Sequence, residues 1–415
     1  DFEDGNTTSN VIPGWERHGG GGSGNLDSSN GSRVLTLIAG STSRTHNPLY
    51  IPPTVGLLRF NYDVAITSND DTLDVYVGGA KLNSFPLSES GARSRVVSLA
   101  AVSDALALNG RVATVEFRLT SDGSAIDSKV HIDNVSLLSN EFIVNSTADT
   151  IDADPGDGVA EDSHGNTTLR AAIMESNALD GDQTIDLPAG TYRLTLGGAG
   201  ENEATTGDLD VTDTSGRLAI IGSGADVTII DGNQLDRVFH VSARATLDLD
   251  GITVTGGNLD TSTGLAAKGG GIFNSGNLTV ISSTISGNSA KEGGGGISTR
   301  DGTVSVVITN STISGNTAFS DGGGIEFNST TSSTMTITNS TISGNSSVGF
   351  GGPGHAGGGL FVSRSGSGSG PTVSMTNTTI TNNLSGNSSG GGIRVDRGGN
   401  RSRSGAITYA AAAVI

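Results

Sequence analysis

The sequence predicts an all-β protein: an N-terminal antiparallel β-sandwich of jelly-roll type, then a helix-capped right-handed parallel β-helix. Three observations lead there. The phrase "STISGN" recurs around Ile285, Ile313 and Ile342 at spacings of 28 and 29 residues, and a period of that size marks stacked structural units. Glycine fills 64 of 415 positions and charged residues only 16%, against a usual ~25%, while Val, Ile and Leu still recur at regular places. The first 139 residues carry runs of alternating hydrophobicity separated by Gly, Asn and Asp, the pattern of half-buried strands.

Residues 1–139 form the predicted sandwich. Its clearest strands are "RVLTLIAG", "LLRFNYDVAI", "TLDVYVGG", "ATVEFRLT" and "KVHIDNVSLL", short runs with turn residues between them. Trp15, Tyr50, Tyr62 and Tyr76 fall in or near these strands and are expected in the core. Residues 140–195 form a capping segment. It holds an acidic loop and then "NTTLRAAIMESNAL", where Leu169, Ala172, Ile173 and Ser176 share one helical face. Thr167 or Thr168 supplies the N-cap oxygen.

Residues 196–415 are the repeat region. A unit such as "GGGIFNSGNLTVISSTISGNSAKE" holds three short extended pieces broken by Gly and Asn. Such pieces satisfy their backbone groups by lying on their counterparts one turn away, which gives a parallel coil. Like residues then stack. Ile285, Ile313, Ile342 and Ile380 form one expected ladder; Ile272, Ile297, Ile325, Leu360 and Ile393 form another. Asn288, Asn316, Asn345 and Asn383, each three residues beyond a first-ladder Ile, are expected to hydrogen-bond up and down the stack. About 28 residues per turn over roughly 200 residues gives about seven or eight turns. Insertions at 346–359 and 364–370 are expected to bulge outward as loops. Propellers repeat at ~40–50 residues with Trp-Asp or aromatic signatures, which are missing here.

The net charge of −19 sets aside nucleic acid and anionic lipid as partners, since both repel such a field. No run of 18 apolar residues exists, so membrane insertion is not expected. With no cysteine there is no disulfide or thiol chemistry. The opening "DFEDGN" reads as a mature N-terminus after signal-peptide removal.

Residues "FIVNSTADTIDADPGDGVAEDSHGNTTLRAAIMESNAL" and the following "GDQTIDLPAGTYRLTL" resemble the CSLREA domain of bacterial surface and secreted proteins. That family carries Cys where this chain has Ala160 and Thr167, so its cross-link is dispensed with here. The resemblance implies β-helix repeats of the polymorphic outer-membrane-protein type after the cap. "DFEDGN", "GW" and "VHIDNVSLL" resemble carbohydrate-binding-module jelly rolls. In those, opening and closing acidic residues often hold a structural calcium, and Glu3 and Asp133 match the two places.

Few residues are patterned for chemistry. A lyase or glycosidase on a β-helix needs acids at matching places on successive turns. Glu326 and Asp396 follow GGGI-type sites, but Ser298 and Val362 occupy the expected equivalent positions between, and Arg300, Arg364, Arg394 and Arg397 read as solvated surface charge. None of the six histidines shows metal-ligand spacing. The Gly runs lack the helix and Lys of a phosphate loop. In "DADPGDGVAED", Asp152, Asp154 and Asp157 offer oxygens at short spacing, with Gly156 and Gly158 letting the chain wrap; this suits a calcium loop, the plain alternative being a solvated acidic turn. Asn-X-Ser/Thr triplets at Asn310, Asn339 and Asn377 follow from the repeat's own composition.

The function expected is a non-enzymatic, secreted or surface-displayed structural or adhesive protein, with self-association head-to-tail into a homopolymer through the apolar "AITYAAAAVI" segment. The alternative is a protein that binds extracellular glycan, or a polysaccharide lyase.

Overall fold

The computed structural model describes residues 16–18, 26–27, 34–38, 43–51, 55–66, 71–99, 111–120, 128–198, 200–259, 267–300, 304–329, 332–348, 357–364, 370–386, 390–396 and 407–410. The chain divides into two compact units, one of residues 1–141 with 156–159 and 179–181, the other holding the rest.

The first unit is an antiparallel sandwich. Its strands are β1 (Glu16–His18), β2 (Leu26–Asp27), β3 (Val34–Ile38), β4 (Ser43–Ile51), β5 (Val55–Ile66), β6 (Thr72–Val77), β7 (Ala80–Pro86), β8 (Gly91–Ser98), β9 (Arg111–Thr120) and β10 (Lys129–Ser139). One sheet runs β1-β4-β9-β6-β7 and the other β2-β3-β10-β5-β8. Consecutive strands switch sheets repeatedly, so the order in space is set by packing rather than by hairpins. On β6 and β9, Leu73, Val75, Val77, Val115, Phe117 and Leu119 point into the core with Phe60, Tyr62, Val130 and Ile132. Phe60 and Phe117 meet edge to face with ring centres 4.8 Å apart, a favoured aromatic arrangement. Trp15 lies outside the described residues. Tyr62 is a core residue as expected; Tyr76 is not, because the two-residue period of β6 turns its side chain to the opposite face.

The second unit is a parallel β-solenoid of about 6 turns. Each full turn lays one strand on each of four faces. The turn from Ile272 contributes Ile272–Asn274, Asn277–Ile281, Thr284–Ser286 and Ser289–Ala290. These belong in order to a seven-stranded, a nine-stranded, another seven-stranded and a five-stranded sheet. Register is one to one. Ile285 lies on Ile313, Ile313 on Ile342 and Ile342 on Ile380; Ile272, Ile297, Ile325, Leu360 and Ile393 stack likewise. Both expected ladders are present, and all but Ile380 and Ile393 of these are wholly buried. Fewer turns form than the repeat length implied, because later turns are longer: 38 residues separate Ile342 from Ile380. The expected loop insertions fall largely outside the described residues.

The asparagine ladder forms as the spacing implied. Asn288 Nδ2 donates to Asn316 Oδ1 at 3.0 Å, Asn316 to Asn345 at 3.0 Å and Asn345 to Asn383 at 2.9 Å. The backbone N–H of each donates to the same neighbouring Oδ1. Beside it the GGG corners stack so closely that a Cβ on Gly295 would lie 2.3 Å from Thr317 O and 2.5 Å from Gly323 O.

One α-helix stands among the described residues, α1 (Leu169–Ala178). Thr168 caps it, its Oγ1 accepting from Ala171 N at 3.1 Å. Around it, Gln183–Leu187 follows Glu141–Ile143 in the nine-stranded sheet, and Gly190–Arg193 opens a seven-stranded one. Arg170 is wholly buried and joins Asp149 to the carbonyls of Ala204 and Gly207 at 2.8 and 2.9 Å. Among the described residues no helix is long and apolar enough to cross a membrane.

Candidate functional site

The sandwich strands that put Leu73, Val75, Phe117 and Leu119 into the core must turn the residues between them outward. Those residues are polar. Register sets Asp74 opposite Arg118 and Tyr76 opposite Glu116, with Ser84 beyond Asp74 and Lys81 beyond Tyr76 across a bulge at Val75/Tyr76. The Arg118 guanidinium lies 4.1 Å from the centre of the Tyr76 ring. It donates to Glu116 Oε1 from Nε at 3.2 Å and from Nη2 at 3.0 Å. Asp74, 4% exposed, accepts from Ser84 Oγ, from Thr72 Oγ1 at 3.1 Å and from Thr120 Oγ1 at 3.1 Å, and pairs with Lys81 Nζ at 3.0 Å. Burial alone would raise the Asp74 carboxyl. The hydrogen bonds from Ser84, Lys81, Thr72 and Thr120 outweigh it and hold the group below the usual range. The result is a sheet face carrying one aromatic ring, two cations and two carboxylates, held as two contacting sets: Tyr76 with Arg118 and Glu116, and Asp74 with Lys81. Such a set offers a stacking surface and paired donors and acceptors to a hydroxyl-rich ligand.

A second cluster lies in the solenoid. Asp210 and His240 are the central residues of Leu209–Val211 and Phe239–Val241, and these strands pair so that the two stand on adjacent rungs. His240 Nδ1 is 2.8 Å from Asp210 Oδ1. Asp208 joins them, and one donor atom from each of Asp208, Asp210 and His240 lies within 4.8 Å of the others. Arg237 Nε is 2.7 Å from Asp208 Oδ2, and its guanidinium lies 5.2 Å from the Phe273 ring centre. Burial pushes the Asp208 carboxyl up to about 8 in spite of Arg237, with Asp210 and Asp236 adding to the rise; burial raises Asp236 as well. No spacing rule within a single strand finds this group. Aligning one turn on the next does, since Asp210 follows ladder residue Leu209 as His240 follows Phe239.

The same alignment corrects another expectation. Glu326 stands between Ser298 and Phe361, not Val362, because Val362 pairs with Phe327. Nor is Glu326 a solvated acid: it is 1% exposed, takes Lys268 Nζ at 2.9 and 3.0 Å, and accepts from Ser298 Oγ at 2.8 Å. Arg364 and Arg394 are half-buried, with their Nε atoms covered.

Of the residues expected to hold calcium, Glu3 lies outside the described residues and Asp133 sits on β10 opposite Asn61. Asp152, Asp154 and Asp157 are not brought together as a donor group; among the described residues only Asp208, Asp210 and His240 are. One oxygen each of Asp152 and Asp157 turns to the local backbone. Asp152 Oδ1 accepts from Asp154 N at 2.9 Å, and Asp157 Oδ1 from Val159 N at 2.8 Å. Asp157 also lies 3.7 Å from Arg59 Nη1. The acid that organises this stretch is Asp162, which accepts from His164 N at 2.8 Å, Asn166 N at 2.9 Å and Thr150 Oγ1 at 2.9 Å.

No family model matches the chain, and no curated protein matches it. Solved structures similar to part of it include a non-crystalline-cellulose-specific carbohydrate-binding module, CBM28, at 14% identity, covering 33% of this chain and 90% of that one with a TM-score of 0.27. A family 11 carbohydrate-binding module from Clostridium thermocellum, solved with a β-1,3-1,4-mixed-linked tetrasaccharide, gives 14% identity, 34% and 93% coverage and a TM-score of 0.26. The secreted serine protease VesC from Vibrio cholerae gives 16% identity, 30% and 25% coverage and a TM-score of 0.21.

Proposed function

We propose that this chain is a non-catalytic, glycan-binding protein of the cell exterior, in which the sandwich holds the sugar and the solenoid serves as a structural or adhesive arm. The observation that carries the reading is the Tyr76–Arg118–Glu116–Asp74 set on the outward face of β6 and β9. Its strands are apolar on one side and carry a braced ring and charges on the other, which is what a ligand-facing sheet needs. The test is a glycan array probed with the whole chain and with Tyr76→Ala. The expected result is selective binding by the parent and about tenfold weaker binding by the variant; an array silent for the parent sinks the proposal. Incubation with polyuronates in the same buffer, followed for unsaturated products, decides against it in favour of a polysaccharide lyase if product accumulates.

The arm role extends to self-association. A solenoid end that stacks on a second copy would continue the parallel pairing of its strands from one chain to the next. Electron microscopy of concentrated native protein tests this; monodisperse monomers oppose it. Membership of the CSLREA type and a structural calcium at Glu3 and Asp133 belong to the same reading, the second checked by a melting temperature that rises with added calcium.

A further inference from the structure

We propose that Asp208, Asp210 and His240 bind one divalent cation of the manganese–zinc class, stitching the first two rungs of a solenoid face.

The site is built by the backbone. Leu209, Val211, Phe239 and Val241 are buried on the inner side of their strands, so Asp210 and His240 must lie on the side away from that core on consecutive rungs, and the parallel register fixes their separation. Asp208 enters from one residue ahead of its strand. The donor atoms lie within 4.8 Å of one another, close enough for one ion to touch all three at ordinary ligand distances of about 2.0–2.2 Å. Asp210 is fully buried and Asp208 4% exposed, whereas the His240 side chain keeps 20% of its surface. The imidazole edge is therefore the route by which an ion enters.

Charge supports the same conclusion independently. Asp208, Asp210 and the 6%-exposed Asp236 carry three formal negative charges against the single positive charge of Arg237. The ion pairs beside them, Arg170 with Asp149 and Lys268 with Glu326, neutralise themselves. Ionising these neighbouring buried carboxyls together is costly, and a divalent ion bound among them offsets that cost while Arg237 stays beside Asp208. Two carboxylates with one imidazole nitrogen suit manganese, cobalt or zinc; calcium prefers oxygen throughout, and there is no cysteine for a soft ion.

The experiment uses the whole chain, stripped with chelator and titrated calorimetrically with Mn²⁺, Co²⁺ and Zn²⁺. One equivalent and a higher melting temperature are expected. His240→Gln and Asp210→Asn, checked for native circular dichroism, are expected to bind at least about tenfold more weakly. If a variant fails to fold, pulsed electron paramagnetic resonance of the Mn²⁺-loaded parent decides: imidazole-nitrogen coupling upholds the site, and its absence overturns it. Failure of all three ions to saturate the parent also overturns it, leaving the cluster balanced by protons alone. Sugar binding by the sandwich is read separately on the array, so either proposal can fail without the other.

Discussion

Arg170 and Asp149 form a buried ion pair at the point where α1 meets the solenoid, the arginine fully enclosed and the aspartate 8% exposed. The pair is not isolated. Asp149 Oδ2 also accepts from Thr195 N at 2.6 Å and Leu196 N at 2.9 Å, while Arg170 gathers the carbonyls of Ala204, Gly207 and Asp208. One side chain thus ties the helix to two separate segments of the first turns. Removing it leaves a buried carboxylate and several carbonyls unanswered. Arg170→Met keeps much of the volume and is expected to cost about 3–5 kcal/mol, read as a lower urea midpoint for the solenoid transition with native-like circular dichroism before unfolding. A loss within about 0.5 kcal/mol would show that the cap closes by other means.

The asparagine ladder makes a second prediction. Asn316 Oδ1 accepts from both the backbone N–H and the side-chain Nδ2 of Asn288, and its Nδ2 donates to Asn345 Oδ1 and Ile285 O. Asn316→Ala orphans buried groups on both neighbouring rungs. Each such group costs about 1–3 kcal/mol, so a loss of about 3 kcal/mol or more is expected. Hydrogen exchange distinguishes this from general loosening: the amide of Asn288, whose acceptor is Asn316 Oδ1, should exchange much faster than those of Ile297 and Ile325.

How much of this was legible in the sequence depends on whether its cause is local or repeated. The Ile and Asn ladders follow from a period printed three times in the chain, and Thr168 and α1 follow from a capping residue before an amphipathic run. The strands Ser43–Ile51, Ala80–Pro86 and Gly91–Ser98 gave little signal because edge positions and Pro48 or Pro86 break the alternation. Tyr76 was misassigned for a related reason. In "TLDVYV" every second residue is apolar on one side, and an aromatic ring on the other side is invisible to a reading that counts aromatics as core. Asp210 and His240 are 30 residues apart, so only a register between turns brings them together. Asp152, Asp154 and Asp157 follow one another too closely for pattern alone to tell a calcium loop from a turn, and Asp152 and Asp157 each accept from the N–H two residues on.

Asp162 gives a pH dependence. Its carboxylate is held down to about 2 from 3.8, chiefly by the Asn166 backbone N–H, against burial, and helped by His164, Thr150 and the Asn166 side chain. A folded-state value below the unfolded one means the ionised form is favoured by folding. This contribution is complete above the unfolded value near 4 and is lost as pH falls through about 2. Acid titration of the parent should therefore show part of its stability draining between pH 4 and pH 2. Asp162→Asn should be less stable at neutral pH and flatter over that interval; an unchanged slope would assign the acid sensitivity to other carboxylates.

The closest prediction to the repeat itself concerns Gly295. Its neighbours above and below are also glycines, and a Cβ there meets backbone oxygens on the next rung at 2.3 and 2.5 Å. Backbone cannot yield as a flexible side chain can, because Gly296 and Ile297 N–H groups are bonded to Gly324 O at 3.0 and 2.9 Å. Gly295→Ala must therefore push two rungs apart at a corner and weaken those bonds. Gly315 has a left-handed φ of 63° but open space around its added Cβ, so Gly315→Ala meets only the backbone penalty of about 1 kcal/mol. Paired melts of the two variants separate steric crowding from conformational strain. The expected order is a markedly larger loss at Gly295, and equal losses would mean that the turns are not packed against each other as closely as their register demands.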